Sequence, residues 1–168
     1  MQNRFYLIGY MGVGKSTWAK RWAKQRSCPV HDLDQLIATE IQMPIDEYIT
    51  SQGELAFRKV ERSVLHATSH LDGIISMGGG TPCFYDNMEV MKALGTTIYL
   101  HAGVGFLTKR LVDSAFAGNP RPLLAGVPID SYGEFIGKHL LERLAFYEQA
   151  AIRIAVEKED VLARLSEL

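Results

Sequence analysis

The chain has few cysteines: Cys28 and Cys83 are the only two in 168 residues, they lie far apart, and no C-x-x-C joins them. A disulfide framework is set aside, and reduced thiols in a cytosolic chain are the simple expectation. Charge of one sign is missing too. The formal net charge is -1, which gives no reason to expect nucleic acid or an anionic membrane as a partner. No apolar run approaches membrane-spanning length, and the first motif begins at residue 9, leaving no room for a signal peptide. There are no internal repeats, no low-complexity tracts and no linker to divide the chain. The five histidines, His31, His66, His70, His101 and His139, show no metal-ligand spacing and read as structural. With 47% hydrophobic and 22% charged residues, the expectation is one soluble globular domain spanning 1–168, with a sizeable core.

What is present is concentrated near the start. Gly9-Tyr10-Met11-Gly12-Val13-Gly14-Lys15-Ser16-Thr17 fits G-x-x-x-x-G-K-[ST], the phosphate-binding P-loop. A short β-prone run, Arg4 to Ile8, precedes it, and a helical stretch, Lys15 to Arg26, follows. The glycines let successive N–H groups turn inward as an anion nest at the positive end of a helix. Lys15 supplies a point charge for the β- and γ-phosphates, and the Ser16 hydroxyl is a hard ligand for Mg²⁺. With Gly at roughly 7% of residues, such a coincidence arises about once in a few hundred chains of this length. A nucleotide-phosphate site is the better reading. Nothing matches the Asn-Lys-x-Asp base reader of GTPases.

Strand and helix alternate through the chain, which predicts an α/β domain with a mainly parallel sheet. Further strands are expected at Cys28–Leu33, Gly73–Met77, Thr96–Leu100 and Ile152–Val156. Helices are expected at Asp34–Ile41, Ile45–Ile49, Glu54 to about His70, Asn87–Leu94, Val104–Ala115, from Ser131 to Gln149, and at the C-terminus. Leu55, Val60, Val64 and Leu65 should form the apolar stripe of the long helix. Ser131-x-x-Glu134 reads as a capping box. Trp18 and Trp22, four apart, read as packing residues. Ligands collect at the carboxyl ends of parallel strands. Four strands end in something pointed: the P-loop, Asp32 with Asp34, Gly78-Gly79-Gly80, and His101.

Asp32-Leu33-Asp34 puts two carboxylates where a magnesium nucleotide would sit, one for the metal and one to accept a proton from a hydroxyl. The competing reading of either is a helix N-cap. The third strand lacks the terminal Asp usual in P-loop proteins, so Asp32 is the expected replacement. Three glycines after a strand suggest close approach of backbone to a ligand. Arg58 and Arg143 are candidate carboxylate clamps, since guanidinium pairs bidentately with a carboxylate. Taken alone, Arg58 reads better as a solvated surface cation, the usual fate of a helical Arg, and Arg143 is a weak signal by itself. The segment Phe116 to Pro128 holds Gly118, Pro120, Pro122, Gly126 and Pro128 around Arg121, and reads as a functional loop. Cys83 follows the glycines, but nothing marks it as a nucleophile.

These motifs, together with Gly53-Glu54-x-x-Phe57-Arg58-x-x-Glu61 and Arg121-Pro122-Leu123-Leu124, fall in the order and approximate spacing of the shikimate kinases, and the chain resembles that family over essentially its whole length. The resemblance implies a three-layer P-loop kinase fold like that of nucleoside-monophosphate kinases, with a five-stranded parallel sheet in the order 2-3-1-4-5, a substrate-binding helical region over about 34–62 and a lid over about 116–128. The implied reaction is transfer of the ATP γ-phosphoryl group to the 3-hydroxyl of shikimate in aromatic amino-acid biosynthesis, by a cytoplasmic monomer. Carried over, Gly12, Val13, Gly14, Lys15, Ser16 and Thr17 hold the nucleotide phosphates, Ser16 and Asp32 the Mg²⁺. Asp34 binds the reacting hydroxyl and acts as base. Arg58, Gly78, Gly79, Gly80 and Arg143 hold shikimate, and Glu61 orients Arg58. Arg121 is the lid arginine, and Arg110 lies along adenine. Two positions depart from the pattern: Ile49 stands where a Phe is frequent, and Glu157-Lys158-Glu159-Asp160 lacks the usual Asp and Pro of the adenine loop. A gluconate-type kinase and a non-catalytic nucleotide-binding regulator are the alternatives. The former has no need of two arginines and a Gly triplet around a cyclic carboxylate. The latter would be free to lose Lys15, Ser16, Asp32, Asp34 or Arg121.

Overall fold

Phe5-Tyr6-Leu7-Ile8 has no polar alternation, and such a strand has to be covered on both faces. In the computed structural model, which describes residues 4–168, this strand (β1, Arg4–Ile8) is the middle of a five-stranded parallel sheet. Tyr6, Leu7 and Ile8 have no exposed surface. The sheet order is β2-β3-β1-β4-β5, with β2 at Val30–Asp32, β3 at Gly73–Ser76, β4 at Thr96–His101 and β5 at Ile152–Ala155. Register is fixed on both sides of β1, where Leu7 pairs with Ser76 and with Ile98. The expected fold class and strand order are those found.

Eight α-helices connect and cover the strands. They are α1 Lys15–Arg26, α2 Leu33–Ile41, α3 Ile45–Gln52, α4 Glu54–Ala67, α5 Asn87–Leu94, α6 Val104–Phe116, α7 Tyr132–Tyr147 and α8 Val161–Ser166, in the described residues. Trp22 of α1 is fully buried and meets Phe5 edge-on at 4.8 Å, while Trp18, one turn earlier, stays half-buried. None of the helices in the described residues is long and apolar enough to cross a membrane.

Several local expectations change. The second strand is shorter than Cys28–Leu33, because Asp32 caps α2: its side chain accepts from the Asp34 N–H, and Leu33 is already helical. The long helix ends at Ala67, where a 3₁₀ turn, Thr68–His70, replaces its last residues. Of the expected stripe, Leu65 is buried and Val60 and Val64 pack partly buried against the core, but Leu55 is 76% exposed; Phe57 and Glu61 are buried in addition. No capping box forms at Ser131, whose side chain makes no cap bond, and Glu134 pairs with Lys138 at 2.6 Å in solvent. The 116–128 segment is mostly irregular, with one 3₁₀ turn, Pro122–Leu124, pinned by buried Leu124.

Candidate active site

The chain leaves β1 where the sheet order reverses, with β3 on one side and β4 on the other, and crevices at such switch points face the carboxyl ends of the strands. Gly9 to Thr17 fill this crevice. Gly14 is the N-cap of α1 at φ 101°, in the left-handed region that favours glycine, and no side chain caps the helix there. The first amides of α1 are therefore left for an anion. Lys15 is 9% exposed, and its Nζ donates to the carbonyls of Gly9 at 2.8 Å and Tyr10 at 3.1 Å. Burial lowers its ammonium to about 8, opposed by Asp34 and Asp32 and reinforced by Arg121.

The ends of β2 and β3 meet this loop. Asp32 and Ser76 are register partners, and the Ser16 hydroxyl donates to Asp32 Oδ2 at 2.9 Å and lies 3.1 Å from Ser76 Oγ. Ser76 stands where a strand-terminal Asp was missing from the sequence. Three hard oxygens thus gather at one point. Asp34, just inside α2, has its carboxyl raised above the usual range, first by burial and then by the charge of Asp32; Lys15 opposes this.

On α4, Arg58 donates through Nη1 to Glu61 Oε2 at 2.8 Å and through Nη2 to Glu54 Oε1 at 3.2 Å. Its guanidinium lies 3.8 Å over the Phe84 ring. Glu61 is 1% exposed, and its other oxygen accepts from Thr81 Oγ1 at 2.6 Å. This contact ties α4 to the chain just after the glycine triplet. The triplet itself is crowded by protein rather than bent. A Cβ on Gly78 would stand 2.9 Å from Asp34 Oδ1 and from Thr81 Oγ1, and one on Gly80 would stand 2.9 Å from Arg58 Nη2. None of the three has a left-handed φ.

Helix α7 closes the other side. His139, Arg143 and Tyr147, four residues apart, share one face. The Tyr147 hydroxyl donates to the Gly79 carbonyl at 2.5 Å, and the Tyr10 hydroxyl meets His139 Nδ1 at 2.7 Å.

Two cavities result, each about 230 Å³, and both are walled by Met11 and Gly79. One is lined by Gly12, Gly14, Lys15, Ser16, Thr17, Asp32, Asp34, Ser76, Gly78, Arg110 and Arg121. The other is lined by Tyr10, Glu54, Arg58, Gly80, Leu123, His139, Arg143 and Tyr147. A phosphate cradle thus stands wall to wall with a pocket offering two guanidinium groups.

The shikimate kinase family model matches residues 11–167. The chain is 41% identical over 156 residues to the shikimate kinase of Parabacteroides distasonis, covering 92% of this chain and 88% of that one. It belongs to the shikimate kinase family. Its fold is similar to the crystal structure of the Bacteroides thetaiotaomicron shikimate kinase, with a TM-score of 0.88 and 37% identity, over 98% of this chain and 96% of that one. A gluconokinase from Sinorhizobium meliloti shares the fold alone, at TM-score 0.61 and 15% identity over 99% of this chain and 94% of that one.

Within this shikimate kinase-family site most sequence candidates converge, and a few do not. Val13 is buried under the loop and lines neither cavity. Glu61 also lines neither and lies beneath Arg58. His101, at the end of β4, packs on Tyr99 at 5.7 Å outside both cavities, so that strand end carries no site group. Ile49 packs against the core instead of either cavity. In the C-terminal loop, Glu157 accepts from the Gly103 N–H, Glu159 from the Ala155 N–H, and Asp160 caps α8. Those acids are engaged in backbone bonds. Cys83 is half-buried, and burial pushes its thiol up to about 11, so it stays protonated.

Sequence reasoning did not single out Ser76, Tyr147 or Thr81, named Tyr10 and Leu123 only as members of motifs, and read His139 as structural. For His139 and Tyr147 a signal existed: the i, i+4, i+8 spacing with Arg143 places all three on one helix face. For Ser76 and Thr81 none did, because single hydroxyls acquire meaning only through what folds beside them.

Proposed function

We propose that the chain transfers the γ-phosphoryl group of ATP to the 3-hydroxyl of shikimate, giving 3-phosphoshikimate and ADP in aromatic amino-acid biosynthesis. The observation that carries this is the shared Met11–Gly79 wall between a P-loop cavity and a pocket holding Arg58 and Arg143. A phosphate donor and a carboxylate-bearing acceptor bound there would adjoin, and Asp34 lies on the donor side of that wall beside Gly78.

Each residue then has a task. The α1 amides and Lys15 hold the β- and γ-phosphates, and Arg121 adds charge as it accumulates on the transferring group. Arg58, set by Glu61, and Arg143 hold the carboxylate by charge-assisted hydrogen bonds. Asp34 takes the proton of the attacking hydroxyl as its oxygen bonds to phosphorus and the bond to the leaving ADP oxygen breaks. A carboxyl raised by burial suits a base, because its proton affinity is higher. The oxygens of Ser16 and Asp32, with Ser76 adjacent, form a hard donor set that would hold Mg²⁺. Bound there, Mg²⁺ would neutralise phosphate charge.

Residues 1–168 act as one domain in this reading, with about 34–62 contributing to acceptor binding and about 116–128 acting as lid. The protein is a cytoplasmic monomer. Coupled ADP release with shikimate and, separately, with gluconate tests the assignment. Turnover is expected with shikimate alone. Turnover with gluconate, or with neither, would overturn it.

A further inference from the structure

His139 faces the acceptor pocket, and neither the sequence motifs nor the reaction accounts for it; Tyr147, on the same helix face, is already engaged with the Gly79 carbonyl. His139 lines that pocket between Tyr10 and Arg143. Its Nδ1 is taken by the Tyr10 hydroxyl at 2.7 Å, and the two rings meet edge-on at 5.5 Å. Phe135, one turn earlier on α7, packs on its ring at 5.4 Å. The ring is thus held from two sides. Its Nε2 has no hydrogen-bond partner among the described residues. A half-buried imidazole nitrogen without a protein partner, on the wall of a pocket, is placed to meet a ligand.

The charge state is constrained from both ends. Burial and Arg143 lower the His139 imidazolium, opposed by Glu142, so the ring is neutral near pH 7. Burial raises the Tyr10 phenol to about 12, so it keeps a proton to give. If Tyr10 donates into Nδ1, the imidazole proton sits on Nε2.

We propose that His139, fixed in its Nε2–H tautomer by Tyr10, is a further acceptor-binding side chain beside Arg58, Arg143 and Asp34, donating from Nε2 to an oxygen of the cyclic polyhydroxy carboxylate held by Arg58 and Arg143. The proposal rests on the reading of this pocket as the acceptor site. Tyr10 is a positioning residue acting through His139. Tyr10 also belongs to the phosphate loop, where its carbonyl accepts from Lys15. One residue of the nucleotide loop thus orients a group of the acceptor pocket.

The test combines calorimetric shikimate binding with imidazole ¹⁵N spectra of the full chain. His139→Ala should weaken shikimate about tenfold, the scale of one lost hydrogen bond, with nucleotide affinity within twofold. His139→Gln should restore most of that loss, because the Gln amide nitrogen falls near Nε2 and donates. In wild type the Nε2 resonance should shift on adding shikimate and stay still with an ATP analogue alone. In Tyr10→Phe the free-state spectrum should change to mixed tautomers, and shikimate binding should weaken with it. A weakened Ala variant that Gln fails to restore, with an unmoved Nε2 resonance, would make His139 a packing residue and overturn the proposal. So would an Ala variant with wild-type affinity. Arg143→Ala separates the two levels: if it also binds shikimate normally, the pocket assignment itself fails, whereas weak binding there with a silent His139 defeats only the proposal.

Discussion

Arg58 and Glu61 sit three residues apart on α4 and form an ion pair of 2.8 Å whose carboxylate is almost wholly buried. The same carboxylate accepts from Thr81, so one acid fixes both the guanidinium and the turn after the glycine triplet. Glu61→Ala removes both anchors and leaves Arg58 with the more exposed Glu54. We expect a stability loss on the order of 3 kcal/mol, the scale for breaking a buried pair, read by urea unfolding. The shikimate KM should rise far more than the ATP KM. Equal changes in both constants would mean that Glu61 supports the fold without aiming Arg58.

Lys15→Met should abolish detectable turnover, since it removes the charge aimed at the transferring phosphoryl group. It should also change the pH dependence of stability. Unfolded, Lys15 keeps its proton to its ordinary value of 10.5; folded and without nucleotide, only to about 8. Between those values the unfolded chain binds more protons, so stability contributed by this group rises with pH there, and its cost is complete below about 8. Nucleotide-free Lys15→Met should therefore be at least as stable as wild type near pH 7, with the advantage shrinking toward about pH 10. Chemical denaturation at both ends of that window checks it. A variant markedly less stable at neutral pH would show that the bonds to Gly9 and Tyr10 outweigh the burial of charge.

Asp34→Asn should leave ATP binding intact and lower kcat by about 10²–10⁴-fold, toward the low end because phosphoryl transfer is largely dissociative. In wild type, kcat should fall on acidification at a pH above the ordinary carboxylate range, because burial and Asp32 raise the Asp34 carboxyl. That limb should vanish in the variant. An unchanged pH–rate profile would take the proton-accepting role away from Asp34.

Arg121 lines the phosphate cavity while Leu123, two residues on, lines the acceptor pocket, so one 3₁₀ turn with its N-cap residue touches both. Gly118 and Gly126 flank it at φ 80° and 79°, with open space around each, which suits hinge positions. Arg121→Ala should lower kcat by orders of magnitude, with smaller effects on either KM, since its contact tightens near the transition state. Hydrogen exchange across 116–128 should slow when an ATP analogue and shikimate are added together. Unchanged exchange with near-normal turnover would make the segment a plain connection.

The sequence by itself determined the strand–helix alternation, the P-loop and the identity of its family. Those features are written in near-neighbour spacing: here Gly14-Lys15-Ser16 follows a strand and opens a helix, and the unalternating run Tyr6-Leu7-Ile8 is interior. Boundaries drifted where short polar side chains compete for backbone groups. Asp32 ended β2 early by capping α2, and Ser131 failed to cap because a 3₁₀ turn occupies the approach to α7. Only the tertiary structure decided which polar groups share a wall. Ser76 came level with Asp32 through the register of β2 on β3, where the Ser16 hydroxyl meets both, and Glu61 became a buried hub because Thr81 and Arg58 meet it from separate elements. His139 met Tyr10 across 129 positions of sequence. The glycine triplet shows the difference most plainly: its sequence suggests close approach of backbone to a ligand, and the folded chain adds that Gly78 and Gly80, on the cavity walls, are also crowded by Asp34 and Arg58. Local propensity acts over a few residues, whereas such contacts depend on the packing of the sheet and helices together.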